Sequence, residues 1–264
     1  MPGLLPLNIK SLILDMDGVL WKEDTPIGDL PAIFDRMRAR GLKIAFATNN
    51  GIHTPDQYVD RLARHGVKIE PWQVITSALG VADLVSKKFP NGGPVFAIGG
   101  TGVMTALRDY GFKLLSIEAA KEAQAVIIGL DLQISYEKMR EATLLVRRGV
   151  PFFGTNPDKT FPTPRGEIPG AGAWVSVIVT ATGVEPIYAG KPSPYLIELA
   201  RERLGTAKEE TLVVGDRLET DIAGGQAAGC PVALVLSGVS TRAKGEAWKP
   251  KIDVIAEELG ELVG

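Results

Sequence analysis

Short apolar runs alternate along the chain with longer stretches in which apolar residues recur at helical spacing. The predicted strands are SLILD (11–15), KIAFATN (43–49), QVITS (73–77), PVFAIG (94–99), FKLLS (112–116), AVIIGL (125–130), VPFFGTN (150–156), PIYAG (186–190), TLVVGD (211–216) and PVALVLS (231–237). Helical candidates between them include 30–41, 55–66, 101–111, 135–149 and 193–205. Because strands that alternate with helices form parallel sheets covered on both faces, the sequence predicts an α/β protein with a parallel sheet.

The middle of the chain, 81–185, has strands and helices of its own. It also contains a long stretch rich in proline and glycine, TNPDKTFPTPRGEIPGAG (155–172). Loops of that length in compact domains are usually functional or mobile. We therefore interpret 81–185 as an inserted domain, and 1–80 together with 186–264 as the domain that it interrupts.

Composition and charge narrow the classes of partner. The chain has 264 residues, of which 45% are hydrophobic and 23% charged, with a formal net charge of -2. Without clustered lysine and arginine, we expect neither a nucleic acid nor an anionic membrane surface as partner. The first residues lack the pattern of a signal peptide, and no apolar run is long enough for a membrane span.

Cysteine and histidine are scarce. Cys230 is the only cysteine, so no intramolecular disulfide forms, which fits a reducing compartment and the expectation of a cytoplasmic protein. The only histidines are His53 and His65. This scarcity argues against a Ser-His-Asp triad and against a histidine-ligated zinc site.

Polar residues interrupt the chain where predicted strands end. These residues are Asp15 and Asp17 after SLIL, Thr48, Asn49 and Asn50 after KIAFA, Lys191 after IYAG, and Asp216 after TLVVG. In open parallel sheets, ligands bind beyond the carboxyl ends of the strands. If these strands are neighbours, the polar groups converge on one crevice.

Carboxylates, amide donors and an ammonium group together suit a phosphate bound with Mg²⁺. Magnesium prefers oxygen ligands and would let Asp15, Asp17 and Asp216 approach one another despite their charge. Thr48 and the backbone amides around Asn49 and Asn50 can donate to phosphate oxygens, and Lys191 can neutralise charge on the phosphate and on a nearby acid.

Four ordered motifs resemble those of the haloacid dehalogenase superfamily of phosphatases. They are DMDGV (15–19), ATNN (47–50), GKPSP (190–194) and GDRLETD (215–221). Together with the 155–172 segment, they are similar to the subfamily that contains NagD-type nucleotide phosphatases, p-nitrophenyl phosphatases, phosphoglycolate phosphatase and pyridoxal phosphatase. The resemblance implies a Rossmann-like core with an α/β cap inserted between the second and third motifs.

The resemblance also implies roles for individual residues. Asp15 would be the nucleophile that forms an aspartyl-phosphate, and Asp17 the acid that protonates the leaving oxygen and then deprotonates water. Mg²⁺ would be held by the carboxylates of Asp15 and Asp216 and by the backbone carbonyl of Asp17. Dehalogenases of the superfamily lack the second acid as a proton donor, so Asp17 favours hydrolysis of phosphate esters.

Asp221 has two interpretations. If Asp216 ends a strand and Asp221 begins the following helix, Asp221 either binds the metal directly or caps amides and orients the groups around the metal. We favour the second.

The leading hypothesis is a magnesium-dependent phosphatase of small phosphate monoesters. The alternatives are a phosphomutase on the same core, and a non-catalytic protein that binds metal and phosphate. Nucleotides, sugar phosphates, phosphoglycolate and p-nitrophenyl phosphate all stay open as substrates. In the cap, Asn156, Asp158 and Arg165 are candidate substrate contacts, with turn formation the alternative for Asn156 and Asp158. A homodimer formed through the cap is a further expectation from the resemblance.

Overall fold

The structure, a computed structural model, describes residues 3–163 and 165–264. Met1 and Pro2, in the first predicted domain, and Pro164, in the proline-rich segment, lie outside the described residues. The chain divides into two compact units. Unit 1 comprises the described residues up to Thr48, with Pro55–Ile75 and Lys191–Gly264, and unit 2 comprises Asn49–Thr54 and Thr76–Gly190.

Strands and helices alternate over most of the chain. The strands are β1 (Ser11–Leu14), β2 (Trp21–Lys22), β3 (Thr25–Pro26), β4 (Lys43–Thr48), β5 (Val74–Thr76), β6 (Gly93–Ile98), β7 (Phe112–Leu114), β8 (Val126–Ile128), β9 (Phe152–Gly154), β10 (Thr160–Thr163), β11 (Gly166–Pro169), β12 (Ile187–Tyr188), β13 (Thr211–Gly215), β14 (Val232–Val235) and β15 (Val254–Ala256). The α-helices are α1 (Leu30–Ala39), α2 (Pro55–Arg64), α3 (Ser77–Lys88), α4 (Thr101–Asp109), α5 (Tyr136–Arg147), α6 (Ala171–Thr182), α7 (Tyr195–Leu204), α8 (Ala223–Ala227), α9 (Arg242–Ala247) and α10 (Leu259–Val263). A turn of π-helix, Leu218–Ile222, precedes α8.

Unit 1 is built on a six-stranded sheet with the order β15-β14-β13-β1-β4-β5. The neighbours from β15 to β4 pair in parallel. The four residues of β1 are all buried, so this strand lies at the centre of the unit, as its continuous apolar sequence predicts.

Helices cover both faces of that sheet. On one face, Leu12 and Leu14 of β1 and Phe46 of β4 belong to a buried apolar cluster that includes residues of α1, α2 and α10. The Phe34 ring of α1 stacks on the ring of Phe46, with centroids 6.1 Å apart. On the other face, α7 contacts β1 and β4. Successive side chains of a strand point to opposite faces, so an unbroken apolar strand requires both layers.

Unit 2 has its own five-stranded sheet, with the order β12-β9-β8-β6-β7 and parallel pairing throughout. Phe96, Val126 and Phe152 from this sheet pack with residues of α5 and α6 in a second apolar cluster. With parallel sheets and covering helices in both units, the predicted α/β class is confirmed.

The 155–172 segment is more regular than the sequence predicts. Instead of a loop, its centre forms an antiparallel hairpin of β10 and β11, in which Thr160 pairs with Pro169 and Thr163 with Gly166. Its prolines suggested irregular structure, but proline is tolerated where the ladder needs no N–H group, as in a two-stranded hairpin with open edges.

Within the described part of the chain, no helix is both long and apolar enough to cross a membrane.

Neighbouring glycines in α8 generate a stability prediction. A Cβ at Gly225 would lie 2.6 Å from Cγ1 of Val232, whereas a Cβ at Gly224 would find its nearest neighbour, Cγ of Lys191, at 3.4 Å. We expect Gly225→Ala to lower the free energy of unfolding by about 1–3 kcal/mol through overpacking. Gly224→Ala, the matched control, should be neutral or stabilising by up to about 1 kcal/mol. Urea unfolding measures both, and equal stabilities would contradict the packing described here.

Candidate active site

Asp15, Thr48 and Asp216, predicted to belong to the site, lie at neighbouring strand ends of unit 1. The strand that precedes Lys191 was expected to be their neighbour, but it is β12, which belongs to the sheet of unit 2. β1 lies between β4 and β13 and is parallel to both. Asp15 directly follows β1, Asp216 directly follows β13, and Thr48 is the last residue of β4. The backbone N–H of Asp15 continues the ladder by donating to the carbonyl of Val214, at 2.9 Å. Because the carboxyl ends of parallel strands meet at one edge of a sheet, these side chains share that edge.

Lys191 joins two of the acids. Its buried Nζ donates to Oδ1 of Asp15 at 2.8 Å, to Oδ1 of Asp221 at 2.5 Å and to the carbonyl of Ala47 at 2.7 Å. These acceptors match the three N–H donors of an ammonium group. Burial alone would lower the pKa of Lys191, but the charges of Asp15 and Asp221 raise it overall, so the side chain stays cationic.

Asp221 is held on both of its oxygens. Oδ1 accepts from Lys191, and Oδ2 accepts from the backbone N–H of Arg217 at 3.0 Å. Its Cβ and carboxyl group occupy the space where a side chain on Gly215 would stand, so glycine is required at the end of β13. Asp221 thus accepts from an amide and from Lys191, and whether its role is to orient its neighbours or to bind the metal directly stays a prediction.

Asp216 is buried, with 1% of the residue exposed. Oδ2 accepts from the backbone N–H of Val239 at 2.8 Å, whereas Oδ1 is buried and has no hydrogen-bond partner among the described residues. Burial raises the pKa of Asp216 to about 6, and the charge of Asp221 adds to the rise. A buried carboxylate oxygen without a partner is costly, and a bound cation would remove that cost.

A segment that the sequence analysis missed holds Asp216 in place. After β14, the N–H group of Val239 donates to the side chain of Asp216, and the N–H group of Ser240 donates to its backbone carbonyl. A side chain on Gly238 or on Gly18 would overlap the carboxyl group of Asp216. The signal for this segment was present in the sequence, since small and polar residues follow β14 just as polar residues follow the other strands.

The carboxylates of Asp15, Asp216 and Asp221 form a group that could hold a metal ion. Each offers one oxygen, and these oxygens all lie within 4.8 Å of one another. The pKa of Asp15 is raised well above its ordinary value, first by burial and also by Asp221 and Asp216, against the opposing effect of Lys191. A cluster of oxygen ligands with excess negative charge suits a hard divalent cation.

The Asp17 side chain is not part of that carboxylate group. It is 46% exposed, and its Oδ1 accepts from Nε1 of Trp21 at 2.8 Å. A nitrogen of the Arg61 guanidinium lies 4.0 Å from the same oxygen. The predicted contribution of Asp17 to metal binding comes from its backbone carbonyl, and that contribution stays a prediction.

Thr48 is buried and hydrogen-bonded to Tyr58 of α2. Burial raises the pKa of the Tyr58 hydroxyl, and the charge of Asp17 raises it further, which keeps the phenol protonated. The sequence analysis missed Tyr58 and Arg61. Tyr58 and Arg61 are three residues apart and so lie on the same side of α2, but helical spacing alone does not distinguish a site-facing residue from a core residue.

Asn49 and Asn50, predicted to bind phosphate, belong to unit 2. Nδ2 of Asn49 donates to Oδ2 of Asp158 at 3.0 Å, and the Asn49 carbonyl accepts from Oγ of Ser77 at 2.6 Å and from Nδ2 of Asn156 at 2.5 Å. Oδ1 of Asn50 accepts from the N–H of the residue two positions later, at 3.1 Å. Phosphate binding by these two asparagines stays a prediction.

The polar cap candidates have different surroundings. The side chains of Asn156 and Asp158 are hydrogen-bonded to Asn49. The Asn156 side chain also accepts a hydrogen bond from the backbone N–H of Asp158 at 3.2 Å, as in a turn. Arg165 is exposed in the turn of the β10–β11 hairpin. Substrate contact by any of them stays a prediction.

Comparisons with known proteins identify the family of the chain. A family model described as haloacid dehalogenase-like hydrolase matches residues 12–113, and one described as HAD-hydrolase-like matches residues 188–262. The acid sugar phosphatase of Staphylococcus aureus is 39% identical over 232 residues, which is 88% of this chain and 88% of that protein.

Solved structures cover nearly the whole chain. The p-nitrophenyl phosphatase from Archaeoglobus fulgidus superposes with a TM-score of 0.89 at 31% identity, covering 97% of this chain and 98% of that one. NagD from E. coli K-12 superposes with a TM-score of 0.88 at 30% identity, covering 96% and 98%. The chain therefore belongs to the haloacid dehalogenase-like hydrolases, within the NagD-like subfamily of phosphatases.

Proposed function

We propose that this phosphatase hydrolyses small phosphate monoesters, sugar phosphates among them, through an aspartyl-phosphate on Asp15 with the help of Mg²⁺. The observation that carries the proposal is the grouping of Asp15 with Lys191, Asp216 and Asp221 where β1 and β13 end. The name of the S. aureus relative, acid sugar phosphatase, supports sugar phosphates as the substrate class. The relatives' names also favour hydrolysis over the phosphomutase alternative.

In the first half-reaction, a carboxylate oxygen of Asp15 attacks phosphorus in line with the ester oxygen. The new Asp15–phosphorus bond forms as the bond to the ester oxygen breaks, and Asp17 donates its proton to that oxygen. Lys191 restricts the rotamer of Asp15 through their 2.8 Å hydrogen bond. Positioning and charge neutralisation supply most of the rate enhancement in such transfers.

In the second half-reaction, water attacks the phosphorus of the intermediate. Asp17, now a carboxylate, accepts a proton from this water, and the Asp15 carboxylate leaves as phosphate is released. Asp17 returns to its protonated state, so the cycle is balanced. Asp221 contributes by holding Lys191, and Thr48 by donating from the adjacent strand end to a phosphate oxygen.

Mg²⁺ would be held by the carboxylates of Asp15 and Asp216 and the backbone carbonyl of Asp17. The fit rests on the unpartnered, buried Oδ1 of Asp216 and on the all-oxygen donor set. When bound, the ion supplies neutralisation of the carboxylates and of the phosphate charge. Formation of a homodimer through the cap stays a prediction.

Replacement of the nucleophile tests the proposal. We expect Asp15→Asn to lower kcat for p-nitrophenyl phosphate by about 10³-fold or more, because an amide oxygen does not form the covalent intermediate. Asp35→Asn is the control, since Asp35 is an exposed acid of α1 paired with Arg38. Acid quenching during turnover, followed by peptide mass spectrometry, should locate the phosphoryl group on Asp15. A phosphoryl group on another residue, or turnover unchanged in the variant, would refute the assignment.

Asp216 gives a prediction for the metal-free protein. A carboxyl whose pKa is raised by folding binds its proton more tightly in the folded state. Stability is therefore lost as the pH rises from the unfolded pKa, about 4, to about 6 in the folded protein, and the loss is complete above that pH. In EDTA at pH 8, Asp216→Asn should be more stable than wild type by on the order of 2 kcal/mol, and the difference should vanish below about pH 4.

Calorimetry with and without Mg²⁺ checks this prediction. Mg²⁺ should raise the melting temperature of the wild type but not that of Asp216→Asn, because binding to the folded state alone stabilises it. Asp253→Asn is the control, since Oδ2 of this exposed acid also accepts a backbone N–H, from Val232 at 2.8 Å. The free energy of unfolding of Asp253→Asn should differ from that of the wild type by less than about 0.5 kcal/mol. A melting temperature for Asp216→Asn in EDTA below that of the wild type would contradict this prediction. It would show that the metal-free protein already compensates the negative charge of Asp216.

A further inference from the structure

Trp21 and Arg61 form, with Asp17, a contact group that we call the Asp17 bracket. Trp21 is fully buried, and its indole N–H donates to Oδ1 of Asp17 at 2.8 Å. Cζ of Arg61 lies 4.0 Å from the centroid of the Trp21 ring, and a nitrogen of the same guanidinium lies 4.0 Å from Oδ1 of Asp17. A half-exposed carboxylate is thus contacted on one oxygen by a rigid donor and faced by a fixed cation.

The backbone makes the bracket rigid on the Trp21 side. The segment from Asp17 to Trp21 closes on itself, with the N–H of Gly18 donating to the carbonyl of Trp21 at 2.8 Å. Trp21 then begins β2, so its ring has a defined position relative to Asp17. A buried indole N–H needs an acceptor, and here the acceptor is the proposed acid rather than a core carbonyl.

Arg61 secures the other side. It is a residue of α2, its side chain is 17% exposed, and it also donates to the carbonyl of Glu23 in the β2–β3 turn and approaches Asp24 at 3.4 Å. Stacking of a guanidinium on the Trp21 ring adds a cation–π attraction. These contacts tie the hairpin that carries Trp21 to the helix that carries Arg61.

The bracket leaves the two oxygens of Asp17 unequal. Oδ1 is bonded to Trp21 and faces Arg61, whereas no described residue donates a hydrogen bond to Oδ2. We propose that Trp21 and Arg61 are positioning residues, which hold Oδ1 so that Oδ2 gives the proton to the leaving oxygen and later takes one from water. This inference rests on the proposed function, in which Asp17 is the acid and base.

Positioning of an acid matters most for esters with poor leaving groups. Phenol, like an alcohol or a sugar hydroxyl, is a weak acid and leaves far more easily when it is protonated. The p-nitrophenolate anion is stable and leaves without help. A side chain that only filled the core would affect both classes of ester alike, so the difference between them reports on proton transfer.

The test compares kcat/KM for phenyl phosphate and p-nitrophenyl phosphate in Trp21→Phe, at saturating Mg²⁺. The ratio kcat/KM covers the steps up to departure of the leaving group, and the two substrates have nearly the same shape. Phenylalanine keeps a ring for Arg61 but removes the indole N–H. We expect kcat/KM to fall about tenfold for phenyl phosphate and less than about threefold for p-nitrophenyl phosphate, a part of the 10²–10⁴-fold that acid catalysis supplies.

Matched controls separate this loss from a general one. Trp248→Phe removes an indole N–H that donates to Oε1 of Gln226 at 3.1 Å, and it should change neither substrate. Arg61→Gln should show the same selective loss, whereas Arg64→Gln, which removes an exposed charge one helical turn along α2, should not. If Trp21→Phe does not fold, as judged by its melting curve, Arg61→Gln carries the test alone.

Equal losses on both substrates in a folded variant, or no loss, would overturn the positioning role while leaving the proposed function intact. Wild-type protein that hydrolyses neither ester would overturn the proposed function, and the role of the bracket with it. Selective loss on phenyl phosphate, with both controls unchanged, supports the assignment.

Discussion

The main electrostatic constraint on this protein is the charge gathered where β1 and β13 end. It comes from the buried carboxylates of Asp216 and Asp221, the largely buried carboxylate of Asp15 and the buried ammonium group of Lys191. Burial of so much like charge is unfavourable unless each group finds a partner. Lys191 meets part of that need through Asp15 and Asp221, and the backbone N–H groups of Arg217 and Val239 meet another part. Oδ1 of Asp216 is buried and has no hydrogen-bond partner among the described residues. This unpartnered oxygen is the strongest structural argument for a bound cation.

Much of the surrounding architecture serves that constraint. Gly215 makes room for Asp221, and Gly18 and Gly238 make room for Asp216, so the acids approach the backbone more closely than other residues would allow. The central position of β1 brings Asp15 between the ends of two neighbouring strands. The strand order thus determines which charged groups meet, although those groups are far apart in the sequence.

The sequence predicted the regular elements well where apolar periodicity was strong. The runs that became β1, β4, β13 and β14, and the helices α1, α2 and α7, lie where the pattern predicted them, with ends that differ by a few residues. The 155–172 hairpin was missed because prolines conceal its alternation. The helix α3 was not singled out, since SALGVADLVSKK follows a strand without a polar break.

For the site, Asp15, Lys191 and Asp216 come together as the sequence predicted, but the sequence did not show how each group is held. Nothing in the residue order reveals that both oxygens of Asp221 are occupied, or that Asp17 contacts Trp21 and Arg61. Such contacts depend on side-chain rotamers and on the packing of α2 against the first strand's loop. A one-dimensional pattern carries no information on either. The roles of the site residues as nucleophile, acid and ligands stay predictions.

The full engagement of Lys191 has a consequence for turnover. A phosphate that reached this ammonium would have to replace one of its present acceptors, such as the carbonyl of Ala47. The net gain in free energy would then be the difference between two hydrogen bonds rather than the whole of one. Such an exchange would favour weak binding of inorganic phosphate by this ammonium group, and so ready release of a phosphate product.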